Sequence, residues 1–439
     1  MADKAFRRLA FRPELNPGDI PGLNPVARSV FTWLIRALLL GVCGFTLYRS
    51  GRMALADAAA ATCIPCAMRS EPSNASYVAR DAIARDERGD VSDEADAELR
   101  RASAMNPWNS TVLRSLGIRA ELRGDSRQAE RYLLRAVAVD RSFLPQWALA
   151  NFYLRTGRPS DFWAAVRECL AIIGPRTSGA PGVNPEPVFE LCWNASRESK
   201  KILALLPPGR GMLIPYLRYL IRTGHVDAAM EIVPGLLAVP PSENDLPVWV
   251  DLCEFLILRN KTAAAVLVWN DLVDHALIRA TRLEPDVARS IENADFVLPP
   301  FDRAFGWRVL RDEQVFVFAG DRFLAFEMGR SENEHFELLT KVLPVVPGRK
   351  YLMTWRVDAS RLNLKARESA GLAIHLFGPA GELSPACPPL LSSPARPCLF
   401  IPPAGTTQLR MVLRYDRPLG ELRLEGALRF LDFALRFQS

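Results

Sequence analysis

Histidine is scarce in this chain, with four residues, His225, His275, His335 and His375, in 439. None stands at the spacing of a metal pair or beside a nucleophile motif. Also absent are Gly-x-Ser-x-Gly, a phosphate-cradling glycine loop and HExxH, so these chemistries have no local carrier. Glu327, Glu332 and Glu337 lie on or beside strand-like runs, where a solvated face explains them. A glycosidase pair would have to be assembled in space from distant positions. No compact Asp or Asn cluster offers calcium its oxygen ligands. No catalytic residue, metal or cofactor is therefore expected. Basic runs are missing too: the net charge of +6 is spread thinly over the chain, which gives no argument for nucleic acid.

What the chain does have is apolar material. With 49% hydrophobic and 24% charged residues it reads as globular, and its length implies two or three domains. Residues 1–29 hold Lys4, Arg7, Arg8, Arg12 and Arg28, with a Pro-Gly-Asn stretch from Pro13 to Pro25 that breaks any continuous helix. Val30 to Tyr48 follows, nineteen residues with one charge, Arg36. That length spans a hydrocarbon core. Arg36 costs about 3 kcal/mol at the centre, while ten Leu, Ile, Val and Phe residues at about 0.5 kcal/mol each outweigh it. Residues 30–48 are expected to form one transmembrane helix. Five basic residues precede it and only Arg49 and Arg52 follow closely, so residues 1–29 are placed in the cytoplasm and the body outside it. A cleaved signal peptide ending near Ala56-Asp57-Ala58 is the rival reading. A lipoprotein anchor at Cys43 is disfavoured by Val42, where a very small residue is wanted.

The eight cysteines divide into groups. Cys63-Ile-Pro-Cys66 has redox-motif spacing without the surrounding βαβ pattern, and two cysteines alone make a poor zinc site. A small disulfide or inert thiols in a linker, residues 49–75, is expected. Cys387 and Cys398 bracket a proline-rich loop, and an oxidising compartment favours pairing them. Cys169, Cys192 and Cys253 fall in helical stripes and are expected in the core.

Between Asp90 and Leu272 a short frame recurs. A turn residue is followed five, nine and twelve positions on by small or apolar residues: Asp90 by Ala95, Leu99 and Ala102; Gly124 by Ala129, Leu133 and Ala136; Gly157 by Phe162, Val166 and Cys169. Gly224 and Asn260 repeat it, and Leu113, Gly117 and Ala120 precede Gly124 in mirror order. Both arms carry the i, i+4, i+7 stripe of an amphipathic helix. Turns about every 34 residues match a helix-turn-helix repeat. The frame resembles a tetratricopeptide repeat, carried by the small residues Gly117, Ala129 and Ala136, with Ala95 and Ala102 in the same packing role, and by Pro107 closing a repeat. The region 76–290 is expected to be such a solenoid, with two good copies from Ser76 to Asp140, a degenerate third and a hidden turn near Asn194. An irregular helical bundle is the alternative. The resemblance implies a groove, lined mainly by the first helix of each pair, that binds peptides or partner helices.

After Leu283-Glu284-Pro285 the period changes to strands: Gln314–Phe318, Phe323–Met328, His335–Val342, Lys350–Val357, Gly371–Phe377, Gln408–Tyr415 and Leu428–Phe437. Short connections exclude parallel crossovers and point to an antiparallel β-sandwich. The order of Asn293-Ala294-Asp295-Phe296, Phe305-Gly306-Trp307, Val346-Pro347-Gly348-Arg349-Lys350-Tyr351, Phe400-Ile401-Pro402-Pro403 and Leu431-Asp432-Phe433 resembles a galactose-binding-like jelly roll of the carbohydrate-binding-module type over 293–439. In such domains Trp307 and Tyr351 are architectural. Alternation puts Trp355 on an apolar face with Tyr351, Met353 and Val357, and Thr354 and Arg356 on the other. Trp355, Arg356, Arg410, Arg414 and Tyr415 are the candidate ligand residues, though they make no obvious aromatic cleft.

The expectation is a multidomain protein with one transmembrane helix, a helical solenoid and a terminal sandwich, acting without catalysis as a protein-assembly scaffold in a bacterial inner membrane with its body periplasmic. Its architecture resembles accessory proteins of envelope or exopolysaccharide production and export. A polysaccharide-binding jelly roll with the solenoid as spacer is the alternative.

Overall fold

The computed structural model describes residues 25–174, 183–238, 240–310, 315–329, 333–363, 371–384, 386–392, 396–417, 419–420 and 423–438. Lys4, Arg7, Arg8, Arg12, Gln314 and Glu332 of the expectations lie outside them. The chain divides into two compact units at Ala165 and Val166. It is a helical solenoid preceded by an apolar helix and followed by an antiparallel two-sheet region.

In the first unit, α1 (Pro25–Ala60) runs on well past the apolar stretch. The segment expected as a linker is therefore mostly helical, because Met53–Ala60 buries Ala56 and Ala60 against α2 (Ile64–Ser70) and Tyr77 of α3 (Ala75–Glu87). Tyr77 Oη donates to Asp57 at 2.5 Å, Arg80 donates to the Ala60 carbonyl at 3.0 Å, and Arg52 reaches Glu71 at 3.1 Å. These contacts fasten the apolar helix to the first hairpin.

Helices α3 and α4 (Asp93–Met105), α5 (Ser110–Leu122) and α6 (Ser126–Val139), and α7 (Phe143–Arg155) and α8 (Pro159–Ile173) form the first three hairpins. Their starts are chemically marked: Ser92, Asn109 and Asp125 each accept a backbone N–H of the first turn, satisfying donors the helix cannot. Gly124 and Gly157 turn the chain at φ of 82° and 67°, where a β-carbon is penalised.

The second unit continues with α9 (Glu186–Ser196) and α10 (Ser199–Leu203), α11 (Arg210–Thr223) and α12 (Val226–Leu237), and α13 (Leu246–Leu258) and α14 (Thr262–Asp274). The turn looked for near Asn194 falls at Arg197, three residues later, in left-handed backbone. Trp249, Trp269, Tyr216 and Phe189 fill the core of these pairs.

The sandwich strands are β1 (Arg308–Val309), β2 (Val315–Gly320), β3 (Phe323–Gly329), β4 (His335–Pro344), β5 (Tyr351–Leu362), β6 (Leu372–Gly378), β7 (Gly381–Glu382), β8 (Cys398–Phe400), β9 (Gln408–Asp416) and β10 (Glu425–Phe437). They form two antiparallel sheets, ordered β1-β4-β9-β6-β7 and β2-β3-β10-β5-β8. Alternation aims Leu409, Met411 and Leu413 of one sheet at Tyr351, Met353 and Phe433 of the other. Trp307 is fully buried there and its indole N–H donates to the Asn293 carbonyl at 3.0 Å. The turn between α13 and α14 meets the start of β9, where Gln408 Nε2 donates to the Ile257 carbonyl at 2.8 Å and to Asn260 at 3.0 Å. Glu254 on α13 takes Arg303 at 2.6 Å and Arg308 at 3.3 Å. Phe305 and Phe301 sit edge-on to Trp269.

Candidate functional site

In the first unit the first helices of successive hairpins repeat one outward-facing register. On α5, Thr111, Arg114, Ile118 and Leu122 share a face. On α7, Leu144, Trp147, Asn151 and Arg155 occupy the same four places thirty-three positions on, all at least partly exposed. Arg80, Ala84 and Arg88 continue the face at the end of α3, two guanidinium groups on either side of a methyl. The surface thus passes from these cations through an apolar rung, Ile118 and Leu122, to the indole of Trp147. Leu122 is 75% exposed and Ile118 39%, so the rung is open to solvent. Arg155 grips Glu121 with two bonds of 2.6 and 2.8 Å, fixing the far edge.

The packing beneath this face is tight. A β-carbon on Gly117 would lie 2.7 Å from Leu133 Cγ, so glycine sets the approach of α5 and α6. Ala95, Ala102, Ala129 and Ala136 are fully buried at the other close contacts. An ionic knot not anticipated from sequence ties neighbouring hairpins. Asp96, 1% exposed, accepts Arg119 at 2.9 Å and Arg100 at 2.8 Å and pairs with Arg123; Arg119 also takes Asp86 at 2.7 Å. Burial alone would raise the Asp96 carboxyl, but the hydrogen bonds from Arg119, Arg123 and Arg100 hold it below its ordinary value. The sequence signal was present: two acids, Asp86 and Asp96, flank a turn, with an Arg pair on the next helix.

The sandwich candidates do not assemble. Tyr415 is fully buried, on the core side of β9 against Phe336, and Trp355 packs on the core with its indole N–H donated to the Leu390 carbonyl at 3.0 Å. Neither is the ring of an exposed platform, because both stand at core-facing positions of their strands. Arg356 is on the outer face of β5, paired with Asp432. Arg410 and Arg414 share the outer face of β9, in the opposite sheet. There Arg410 lies 5.0 Å over Phe377 and 3.3 Å from Glu337, while Arg414 holds Asp416 at 2.6 Å. His335 meets Asp416 at 2.9 Å and His375 meets Glu382 at 2.7 Å. Burial would raise the Asp416 carboxyl, but hydrogen bonds from His335 and Arg414 hold it low. No group of three or more metal-ligating side chains occurs among the described residues.

One charge inside the sandwich was missed from sequence. Lys341, on the core side of β4, donates to the Phe305 carbonyl at 2.6 Å, lies 3.4 Å from Glu292 and 4.5 Å over the Trp307 ring. Burial lowers its ammonium to about 8 and raises the Glu292 carboxyl. Alternation along β4 sets it inward with Leu339 and Leu343, and nothing in the sequence pairs it with Glu292.

A cleft of about 560 Å³ opens beside the turn from α9 to α10, lined by Trp193, Arg197, Lys200, His225 and Glu231. Its His225 ring lies against Trp193 at 4.0 Å, and burial and Arg197 lower the imidazole's proton affinity. Cations and carboxylates line it in mixture, so it selects no ligand charge.

Cys63 and Cys66 are disulfide-bonded, as are Cys387 and Cys398. Burial raises Cys169 and Cys192 to about 12 and Cys253 further, which leaves these thiols unreactive. The helix window from Ser29 to Ala60 is long and apolar enough to cross a membrane, with none of its apolar window buried. Trp33 and Tyr48 stand exposed near the two ends of the apolar stretch, as interfacial aromatics do.

No family model matches the sequence, and no curated protein matches it closely. Among solved structures it is similar to YrrB, described as a TPR protein with an unusual peptide-binding site, at 10% identity over 49% of this chain and 93% of that one, TM-score 0.25. It is similar to PilF of Pseudomonas aeruginosa at 15% identity, over 46% of this chain and 92% of that one, TM-score 0.25. A third likeness is PilW, a type IV pilus biogenesis factor, at 14% identity over 48% and 80%, TM-score 0.23. Scores this low carry no weight for function, and the solenoid is read from the helix spacing and packing above.

Proposed function

We propose that this chain is a membrane-anchored, non-catalytic scaffold that holds a protein partner on the outward face of α3, α5 and α7. The observation that carries the reading is the repeated register of that face. Thirty-three residues apart, two helices present the same four positions to solvent, and all but Thr111 and Asn151 are apolar or guanidinium groups. An extended or helical segment bearing an acidic residue near Arg80 or Arg114 and an apolar one near Ile118, Leu122 and Trp147 complements it. The anchor is residues 30–48, with residues 1–29 in the cytoplasm and residues 49–75 docking the helix to the solenoid, 76–290. The closeness of Cys387 and Cys398, Cα atoms 4.8 Å apart, supports an oxidising compartment for the terminal domain, 293–439. This fits a periplasmic body on a bacterial inner membrane, and a place in envelope or exopolysaccharide production or export.

The test has two arms. Alkaline extraction of membranes should leave the full chain in the pellet, and release by alkali would remove the anchor. Ile118→Arg with Leu122→Arg should abolish co-purification of the partner that the wild-type chain retains, with the fold intact by circular dichroism. Unchanged co-purification would remove the face. Glycan binding by the folded chain, with no protein retained, would move the function to the sandwich.

A further inference from the structure

The outer edge of β2 lacks the usual guards of an edge strand. It is the terminal strand of its sheet, paired to β3 on one side only among the described residues. Its six residues, Val315-Phe316-Val317-Phe318-Ala319-Gly320, carry no charge and no proline. Edge strands of soluble domains are ordinarily blunted by such residues, since their unpaired N–H and C=O groups otherwise recruit another strand. Phe316 is 71% exposed and Phe318 42%, on the outer face of the sheet. Phe323 of β3 extends the same stripe, 6.1 Å from Phe318 and edge-on to it, and Arg429 covers its far side at 5.0 Å. The stripe is therefore closed by a cation on the inner side and open towards the strand's free edge.

We propose that β2 is an interface between two copies of this chain, pairing antiparallel with β2 of the second copy about a two-fold axis at Val317. The strand is its own complement in that register. Antiparallel pairing about Val317 sets Phe316 opposite Phe318 of the second copy, twice, and Val315 opposite Ala319 of the second copy, twice. Every outward-facing ring gains a ring, and directly opposed aromatic pairs stabilise antiparallel strands. Moving the axis to Phe316 shortens the strand overlap, and moving it to Phe318 sets Phe316 opposite Gly320, so the Val317 register is the one that pairs both aromatics with each other. A two-fold contact of this kind closes on itself and stops at two copies. An interface of one strand pair is small for a free complex. Resting here on the anchor reading, tethering both copies in one bilayer raises their effective concentration, so that a small contact suffices.

The experiment uses the full chain in lipid nanodiscs or mild detergent, with mass measured by light scattering. Wild type is expected as a dimer. Phe316→Glu with Phe318→Glu puts like charges opposite each other and should weaken association at least tenfold. Phe316→Lys with Phe318→Glu changes the same two exposed positions but sets Lys against Glu across the axis, and should restore the dimer. Each variant's melting curve is compared with wild type, and since the two doubly substituted chains differ only at position 316, a folding defect cannot mimic the pattern. A monomeric wild type, or a dimer insensitive to the double glutamate, overturns the interface. Failure of the Lys–Glu chain to dimerise overturns the register. Alkaline extraction of the same membranes separates the two claims: a chain that stays in the pellet as a monomer removes the interface alone, while a chain released by alkali removes the anchor and leaves the mass to decide pairing.

Discussion

At Gly117 two effects oppose. Alanine raises helix propensity by about 0.8–1.0 kcal/mol, but its methyl would meet Leu133, itself fully buried, at 2.7 Å. Packing outweighs propensity, because a closed core cannot yield that distance without moving α5 off α6. Gly117→Ala should therefore destabilise the first unit by about 1–3 kcal/mol, read as a lower urea midpoint. A neutral or stabilising outcome would show that α5 and α6 separate at little cost. Lys341 argues in the opposite sense. Lys341→Met leaves Glu292 without its buried partner, which should cost about 3–5 kcal/mol, whereas Lys341→Met with Glu292→Leu should recover most of it. A double variant no better than the single would mean the Phe305 and Trp307 contacts of the ammonium, rather than the pair, matter. The small residues of the hairpins were readable because they recur at fixed offsets. Lys341 and the buried Tyr415 were not, since a strand's alternation says which side a residue faces but not what stands across the sheet.

Among the elements, the hairpin turns and seven strand-like runs emerged from pattern alone, because glycine, proline and period-2 alternation punctuate them. The segment after the apolar helix did not. Its Ala-rich run reads as a linker until Ala56 and Ala60 find Tyr77 to pack on, a contact twenty residues away. The ionic knot was hidden for the same reason: Asp96 and Arg119 are on different hairpins and meet only when these stack. It yields a pH prediction with a definite sign. The Asp96 carboxyl sits below its ordinary value, so the folded state binds fewer protons there than the unfolded chain does. Its contribution is complete above about pH 4 and lost as pH falls through the folded value. Urea midpoints measured between pH 5 and pH 3 should fall more steeply for wild type than for Asp96→Asn. Parallel slopes would assign the acid sensitivity to other carboxylates.

Over the whole molecule, the candidate ligand residues of the sandwich stand apart. Five sandwich residues chosen from one-dimensional spacing are distributed over both sheets and the core between them, because residues close in the pattern of two strands need not share a face of the domain. The solenoid face, expected only as a groove, acquires named side chains once three helices are set in register. Topology has its own check. Cys63 pairs with Cys66 and Cys387 with Cys398, and Cys43, Cys169, Cys192 and Cys253 are free. Maleimide labelling of the denatured chain, trapped from intact cells, should find four thiols before reduction and eight after. Eight before reduction would place the body in a reducing compartment and reverse the orientation.

The central claim is that the outward face of α3, α5 and α7 holds a protein. Its most direct measurement is site-specific photocrosslinking from position 118 in the full, membrane-resident chain, with position 131 on the outer side of α6 as control. The account predicts one discrete crosslinked protein from position 118, none from position 131, and loss of that product when Leu122 and Trp147 are replaced by arginine and alanine. Equal crosslinking from both positions, or none from position 118 in a chain that remains folded and in the membrane, would contradict it.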